Sequence, residues 1–156
     1  EALKYVRADN WMALAVGGAV DFGTWVPKSV KVQQLGHVKG AETMAKVYSA
    51  ADLYCITSLA DTFPTTVLES MACGTPVVGF AIGGIPEQVT EDCGHLVAPG
   101  DAKALGEAIT NLLNDETKLK KMGENCRKRT EREYNLQLFI ERHLALYCEL
   151  VSEGTR

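Results

Sequence analysis

Short apolar runs alternate along the chain with longer segments in which apolar residues recur at helical spacing. Short apolar runs bounded by glycine or proline are typical of buried strands, whereas apolar positions three and four residues apart indicate helices. The strands predicted in this way are Trp11–Val16, Val30–Leu35, Leu53–Thr57, Pro76–Phe80 and His95–Val97, with a loop at Gly23–Pro27. The predicted helices are Glu1–Ala8, Glu42–Ala50, Pro64–Cys73, Ile85–Thr90, Ala102–Asn114, Glu116–Glu133 and Leu136–Val151.

Strands that alternate with helices predict an α/β layered domain with a parallel sheet and right-handed crossovers. The run at Leu53–Thr57 is apolar throughout, which is typical of a strand covered on both faces. The apolar residues of the strands should form the core. These are Leu14, Val16, Val32, Leu53, Cys55, Ile56, Val77, Val78 and Leu96.

Composition limits the classes of function. A chain of 156 residues has the size of one domain, and 46% apolar residues are enough for a core. The net charge of −4 argues against a nucleic-acid-binding surface. The five cysteines are widely spaced and form no CxxC pair, and three of them have apolar or small neighbours. This favours core thiols in a reducing, cytoplasmic compartment over disulfides or a metal site. No apolar run reaches the length of a membrane span.

The segment around the third predicted helix carries the chemistry. Two carboxylates, Asp61 and Glu69, have seven residues between them and flank the start of that helix. A helix N-terminus has unpaired N–H groups and a positive dipole end, so the amides of Thr65 and Thr66 could face a diphosphate. Glu69, in the second turn, could then reach a hydroxyl of the same ligand. This layout suits a nucleotide sugar, while the alternative is an ordinary amphipathic helix with solvated acidic residues.

Two further segments have a functional and a structural interpretation. Gly83 and Gly84 follow a strand, where ligands of open α/β sheets bind, and side-chain-free backbone lets a ligand approach closely. They could equally form a plain turn, and no G-x-G-x-x-G fingerprint of dinucleotide binding is present. The basic run Lys118–Arg132 is interleaved with glutamates, which favours a solvated helix face over a contact with an anionic membrane.

The order of these motifs resembles a known family. The pair Asp61 and Glu69 matches the acidic-x7-acidic signature of retaining glycosyltransferases of the GT-B fold, most closely glycosyltransferase family four. Gly83–Glu87 resembles the Gly-Gly-x-Pro-Glu loop of that family, and Gly94–Val97 with Pro99–Asp101 its next strand and turn. Tyr48–Tyr54 resembles the helix and strand before the signature. The family usually has Glu at the place of Asp61, and often Gly-Phe-Gly at the place of Thr62-Phe63-Pro64.

The resemblance implies that residues 1–156 are the Rossmann-like, C-terminal donor-binding domain. The N-terminal acceptor domain, the first strand and a basic pair that neutralises the donor diphosphate would then precede Glu1. The resemblance assigns Asp61 and Glu69 to the catalytic pair, with Glu69 on the ribose. Further donor contacts would come from Thr62, Phe63, Thr65, Thr66, Gly83, Gly84, His37 and Val38, the last two beside the nucleotide base. No metal or other cofactor is expected.

The expected function is transfer of a sugar from a nucleotide-sugar donor to a glycan or lipid-linked acceptor, with retention of configuration, in glycan or polysaccharide biosynthesis. The 156 residues alone should be inactive because the acceptor domain and the basic pair are missing. The full enzyme would contact a membrane only peripherally. Two alternatives stay open: a non-catalytic nucleotide-binding or interaction module, and a sugar-nucleotide epimerase of the same fold, for which the sequence shows no acid/base residues.

Overall fold

A computed structural model of the protein describes residues 1–18, 26–27 and 30–153. Parallel strands alternate with helices, as the sequence predicts. The strands are β1 (Met12–Val16), β2 (Lys31–Gly36), β3 (Tyr54–Ile56), β4 (Val77–Phe80) and β5 (Gly94–Val97). The helices are α1 (Ala41–Ser49), α2 (Thr65–Ala72), α3 (Ile85–Gln88), α4 (Ala102–Leu113), α5 (Glu116–Glu133) and α6 (Leu136–Glu153). Most of the predicted loop Gly23–Pro27 lies outside the described residues.

The strands form two separate sheets. In one, β1 pairs with β2, and in the other β4 lies between β3 and β5; every pairing is parallel. All four residues of β4 are buried, which agrees with its position at the centre of a sheet covered on both faces. The carboxyl ends of β3, β4 and β5 therefore meet at one edge, and the loops that follow these strands lie side by side there.

Two hydrophobic clusters lie on the two sides of this three-stranded sheet. One packs Val78 and Phe80 against α4, with Leu105, Ile109 and Leu112 fully or almost fully buried. The other packs Val67 and Met71 of α2 against β4 and α3. The members of this second cluster are Ile56, Val67, Met71, Val77, Ile85, Val89, Cys93 and Cys126. Each large apolar side chain buried in this way contributes about 2 kcal/mol of transfer free energy. Burial of Val67 and Met71 therefore holds α2 firmly against the sheet.

A cavity of about 590 Å³ separates the two sheets, and we call it the inter-sheet cleft. Residues 12–16 of β1 line one side, and Tyr54 and Cys55 of β3 line the other. Side chains of α1 and α4 also line it, among them Val47 and Ile109. Within the described residues, β1 has a neighbour on one edge only, and so has β3.

The cleft explains why part of the predicted core is not buried. Ile56, Val77 and Val78 are buried as predicted, but Leu14 and Val16 are 37% and 41% exposed and Cys55 is also exposed. All three of these residues line the cleft, and their strands have a neighbour on one edge only within the described residues. The remaining predicted core residues, Val32, Leu53 and Leu96, are only half-buried.

The predicted first helix is the one clear error among the elements. Only a 3₁₀ turn forms, at Ala2–Tyr5, and it ends at Val6, whose backbone is extended. Val6 is 4% exposed beneath α4, and the N–H of Arg7 donates to the Thr110 hydroxyl at 2.9 Å. This segment packs against α4 with extended backbone at Val6, and no side chain caps the turn at Glu1. The tertiary contact therefore overrides the helical pattern.

Candidate functional site

The amino end of α2 lies directly after the loop that leaves β3. Pro64 occupies the N-cap position in extended conformation, so the helix begins at Thr65, one residue later than the sequence predicts, and no side chain caps it. The first bond within the helix is donated by Val67 N–H to the Pro64 carbonyl, at 3.3 Å. The N–H groups of Thr65 and Thr66 precede that bond, and both residues are exposed. They form an uncapped, positively polarised helix end that suits an anion.

The glycine loop after β4, which contains Gly83 and Gly84, packs against the motif loop before α2, which contains Asp61, Thr62 and Phe63. Gly84 N–H donates to the Thr62 carbonyl at 2.7 Å. A Cβ atom on Gly83, whose φ is +53°, would lie 1.8 Å from the Asp61 carbonyl oxygen, and one on Gly84 would lie 2.6 Å from the Phe63 ring. The sequence leaves two interpretations open for these glycines, a close approach of backbone to a ligand or a plain turn. In the structure, the backbone of Asp61–Phe63 approaches them closely.

Glu69 lies in the second turn of α2 with its side chain exposed. The hydroxyl of Tyr48, from the last turn of α1, donates to Glu69 Oε2 at 3.3 Å. Burial raises the pKa of the Tyr48 hydroxyl above its usual value, and the neighbouring Tyr54 and Glu69 raise it further. Tyr48 therefore stays protonated at neutral pH and acts as a hydrogen-bond donor to the carboxylate.

Buried polar groups fix the two ends of α2. The Ser70 hydroxyl donates to the Thr75 carbonyl at 3.0 Å, and the Thr75 hydroxyl donates to the Tyr48 carbonyl at 2.7 Å. Gln88 Nε2 donates to the Pro64 carbonyl at 3.0 Å, which holds the N-cap residue in place. Because buried hydrogen bonds of this kind are directional, they set the position of the helix start relative to α1 and α3.

Residues at the carboxyl end of α5 also lie beside the motif loop and the glycine loop. The sequence did not predict these contacts. The ring of Tyr134 lies 6.1 Å from that of Phe63, and its hydroxyl donates to the Glu87 carbonyl at 3.1 Å. Arg129 donates to the carbonyls of Glu87 and Gln88 at 3.0 and 3.2 Å. The basic run on α5 is thus more than the solvated face that the sequence indicates, since at least one of its arginines binds backbone close to the glycine loop.

Some of the predicted site residues do not join this group. His37 and Val38 follow β2, in the other sheet, and the contacts described for the chain do not link them to the motif. A larger cavity, of about 1000 Å³, lies elsewhere, between α5 and the segments after α1 and α2. Among the described residues, no group of His, Cys, Asp or Glu side chains has the arrangement of a metal site.

Comparison with known proteins identifies the family. The sequence profile described as "Glycosyl transferases group 1" matches residues 27–129, about two thirds of the chain. The chain belongs to the group 1 glycosyltransferases. A similar group 1 sequence is the MMP alpha-(1->4)-mannosyltransferase of Mycolicibacterium hassiacum, 33% identical over 113 residues, which are 71% of this chain and 28% of that protein. The N-acetyl-alpha-D-glucosaminyl L-malate synthase of Bacillus anthracis is 28% identical over 72% of the chain and 30% of its own length.

Comparison with solved structures identifies the fold. Sucrose-phosphate synthase from Thermosynechococcus elongatus superposes with a TM-score of 0.73 at 35% identity, over 79% of this chain and 31% of that one. Anabaena Alr3699/HepE, solved in complex with UDP-glucose, gives a TM-score of 0.76 at 25% identity, over 95% and 43%. This group 1 chain thus has the fold of one part of a GT-B glycosyltransferase.

The group 1 chain spans less than a third of the length of the two curated relatives described above. In the part of the chain that the structure describes, no helix is both long and apolar enough to cross a membrane.

Proposed function

We propose that this chain is the donor-binding domain of a retaining glycosyltransferase of family four, and that it holds a nucleotide sugar for transfer to a glycan or lipid-linked acceptor. The observation that carries the proposal is the contact between the glycine loop and the motif loop at the uncapped start of α2. Membership of the group 1 family, and the UDP-glucose complex of a solved relative, support it. The enzyme would act in the cytoplasm, in glycan or polysaccharide biosynthesis.

The start of α2 would bind the diphosphate. As the bond to the anomeric carbon breaks, negative charge accumulates on the departing phosphate, and the amides of Thr65 and Thr66 would stabilise it. These donors are oriented by the helix before the reaction starts, so little reorganisation is needed. If an upstream segment of a longer protein supplies the expected basic pair, this arrangement would neutralise the leaving group without a divalent metal.

The two carboxylates would contact different parts of the nucleotide-sugar donor. Glu69 would accept hydrogen bonds from the ribose hydroxyls, and Asp61, with the backbone of Thr62 and Phe63, would contact the sugar. The backbone of Gly83 and Gly84 lies against Asp61 and Thr62 and would close the same side of the donor pocket. His37 and Val38 remain the residues proposed to lie beside the nucleotide base of the donor.

The inter-sheet cleft would receive the first strand of the domain. The N–H of Tyr54 donates toward β4, to the Pro76 carbonyl, and the direction of backbone groups alternates along a strand. The N–H and C=O of Cys55 therefore face the cleft, where they could pair with an inserted strand. Thr66 also lines the cleft. A strand inserted there would end near the proposed diphosphate site, which suits the expected basic pair.

The 156 residues alone would bind a nucleoside diphosphate weakly and transfer no sugar. The acceptor site and the basic pair belong to the expected upstream segment, so the chemical step lacks two of its components. Efficient transfer by the purified chain would contradict this division of roles.

The carboxylate pair is tested by calorimetry in the two-domain protein, with UDP and UDP-glucose as probes. Hydrogen bonds to a charged group are worth about 1.5–3 kcal/mol, so Glu69→Ala should weaken binding of both ligands by roughly 10- to 100-fold. Asp61→Ala should weaken UDP-glucose binding more than UDP binding, because its proposed contact is the sugar.

Glu124→Ala provides a matched control, since Glu124 is an exposed glutamate on α5 away from the motif. It should bind both ligands like the wild type. The proposal is wrong if Glu69→Ala binds like the control, or if both carboxylate variants lose equal affinity for both ligands.

A further inference from the structure

The contact between Tyr48 and Glu69 joins two helices just below the proposed ribose site. Glu69 is exposed and its flexible side chain has several rotamers available, and fixing such a side chain costs conformational entropy. Tyr48 is 6% exposed and its hydroxyl donates to only one of the two carboxylate oxygens, Oε2. The other oxygen, Oε1, can then accept a hydrogen bond from a ligand.

Tyr48 is itself held on two sides. Its carbonyl accepts the Thr75 hydroxyl at 2.7 Å, and its ring meets that of Tyr54 edge to face, with centroids 5.6 Å apart and an angle of 87° between the ring planes. A donor fixed in this way limits the positions that the Glu69 carboxylate can adopt. The hydroxyl contact spans 21 residues of sequence and connects α1 with α2.

We propose that Tyr48 is a positioning residue that presents the Glu69 carboxylate to the ribose hydroxyls before the donor binds. The inference rests on the proposed role of Glu69. Preorganisation of this kind saves the entropy of ordering the carboxylate during binding. Removal of the Tyr48 hydroxyl should therefore reduce affinity only for ligands that carry those ribose hydroxyls.

The test compares UDP with 2′,3′-dideoxy-UDP, which lacks both ribose hydroxyls, by ligand-observed NMR titration of the 156-residue chain. Tyr48→Phe removes one oxygen atom and keeps the ring. The cost of ordering one flexible carboxylate side chain during binding should then weaken UDP binding by about 3- to 10-fold. Binding of the dideoxy ligand should be unchanged. Tyr147→Phe, the same chemical change at an exposed position on α6, should alter neither affinity.

Glu69→Ala and the double variant Tyr48→Phe/Glu69→Ala separate this inference from the proposed function. The proposed role of Glu69 predicts that Glu69→Ala removes the preference for UDP over the dideoxy ligand. The role of Tyr48 predicts that the double variant then binds like Glu69→Ala alone.

The proposed role of Glu69 is wrong if the wild-type chain binds UDP and the dideoxy ligand equally well. It is also wrong if the Glu69→Ala variant still binds UDP more tightly than the dideoxy ligand. If Glu69→Ala removes the preference but Tyr48→Phe keeps it in full, only the role of Tyr48 is wrong. If Tyr48→Phe lowers the affinity for both ligands equally, the hydroxyl merely stabilises the fold and the role of Tyr48 is likewise wrong.

Discussion

Gly83 is the residue at which the site has least tolerance for change. Its φ of +53° lies in the left-handed region, and the Asp61 carbonyl occupies the space that a side chain would need. Gly100 has a similar backbone conformation, with φ of +81°, but in the described part of the chain no atom beyond its sequence neighbours lies within 4 Å of its would-be Cβ. The two glycines therefore separate the cost of backbone conformation from the cost of a clash.

We expect Gly100→Ala to lower the free energy of unfolding by about 1–2 kcal/mol, the cost of left-handed backbone for alanine. Gly83→Ala should lower it by more, and should also weaken UDP binding because the motif loop must move. Urea denaturation and a UDP titration of both variants provide the measurements. Equal losses of stability in the two variants, with UDP binding intact, would contradict the packing role of Gly83.

The sequence predicts part of the candidate site because strand ends are local features. Asp61, Thr65 and Gly84 each follow a recognisable strand or begin a recognisable helix, so their meeting at one sheet edge can be anticipated. Tyr48 and Arg129 could not be found in this way. Their partners, Glu69 and the Glu87 carbonyl, lie 21 and 42 residues away, and no local pattern specifies which helix packs beside the motif.

At the scale of elements, α5 connects the helix beneath the motif with the loop beside it. Arg127 donates to the Ala72 carbonyl at the end of α2, at 2.6 Å, while Arg129 binds the end of α3. Gly123 lets α5 approach closely, because a Cβ there would lie 2.4 Å from the Gly74 carbonyl. The helix thus fixes α2 and α3 relative to each other.

Replacement of Arg129 by alanine should remove the arginine donor of the Gln88 carbonyl and one of the two donors of the Glu87 carbonyl, the other being the Tyr134 hydroxyl. Glu133 would lose its ion pair with Arg129 and keep the one with Arg132. We expect a loss of about 2–3 kcal/mol in the free energy of unfolding. Lys128→Ala, an exposed position on the same helix, should stay within about 0.5 kcal/mol of the wild type. Thermal and urea unfolding of the two variants measure the difference, and similar losses in both would show that these bonds contribute little.

At the scale of the whole molecule, the strands were predicted but their arrangement in two sheets was not. Apolar runs and flanking glycines identify each strand, because they depend on a few consecutive residues. The order of strands depends on contacts between distant segments. The exposure of Leu14 and Val16, which were predicted to be core, shows this difference directly, since both line the cleft and their strand has a described neighbour on one edge only.

If the upstream segment supplies a strand to the inter-sheet cleft, hydrogen exchange at its edges should depend on that segment. In the 156-residue chain, the Cys55 amide should exchange faster than the Val78 amide in the buried strand β4. In a longer protein that includes the upstream segment, exchange at Cys55 should slow markedly. Val78 serves as the internal control. Unchanged exchange at Cys55 would argue that another part of the molecule, or solvent, occupies the cleft.

The edges of β1 and β3 beside the cleft also bear on how the isolated domain behaves at high concentration. An unpaired edge with exposed apolar side chains is a template for pairing with another chain, and natural proteins usually cover or charge such edges. Here β1 presents Met12, Leu14 and Val16 beside its open edge, with no charged residue among residues 12–16. Self-association through this edge, and eventual aggregation, is therefore the failure expected of the domain when it is produced alone.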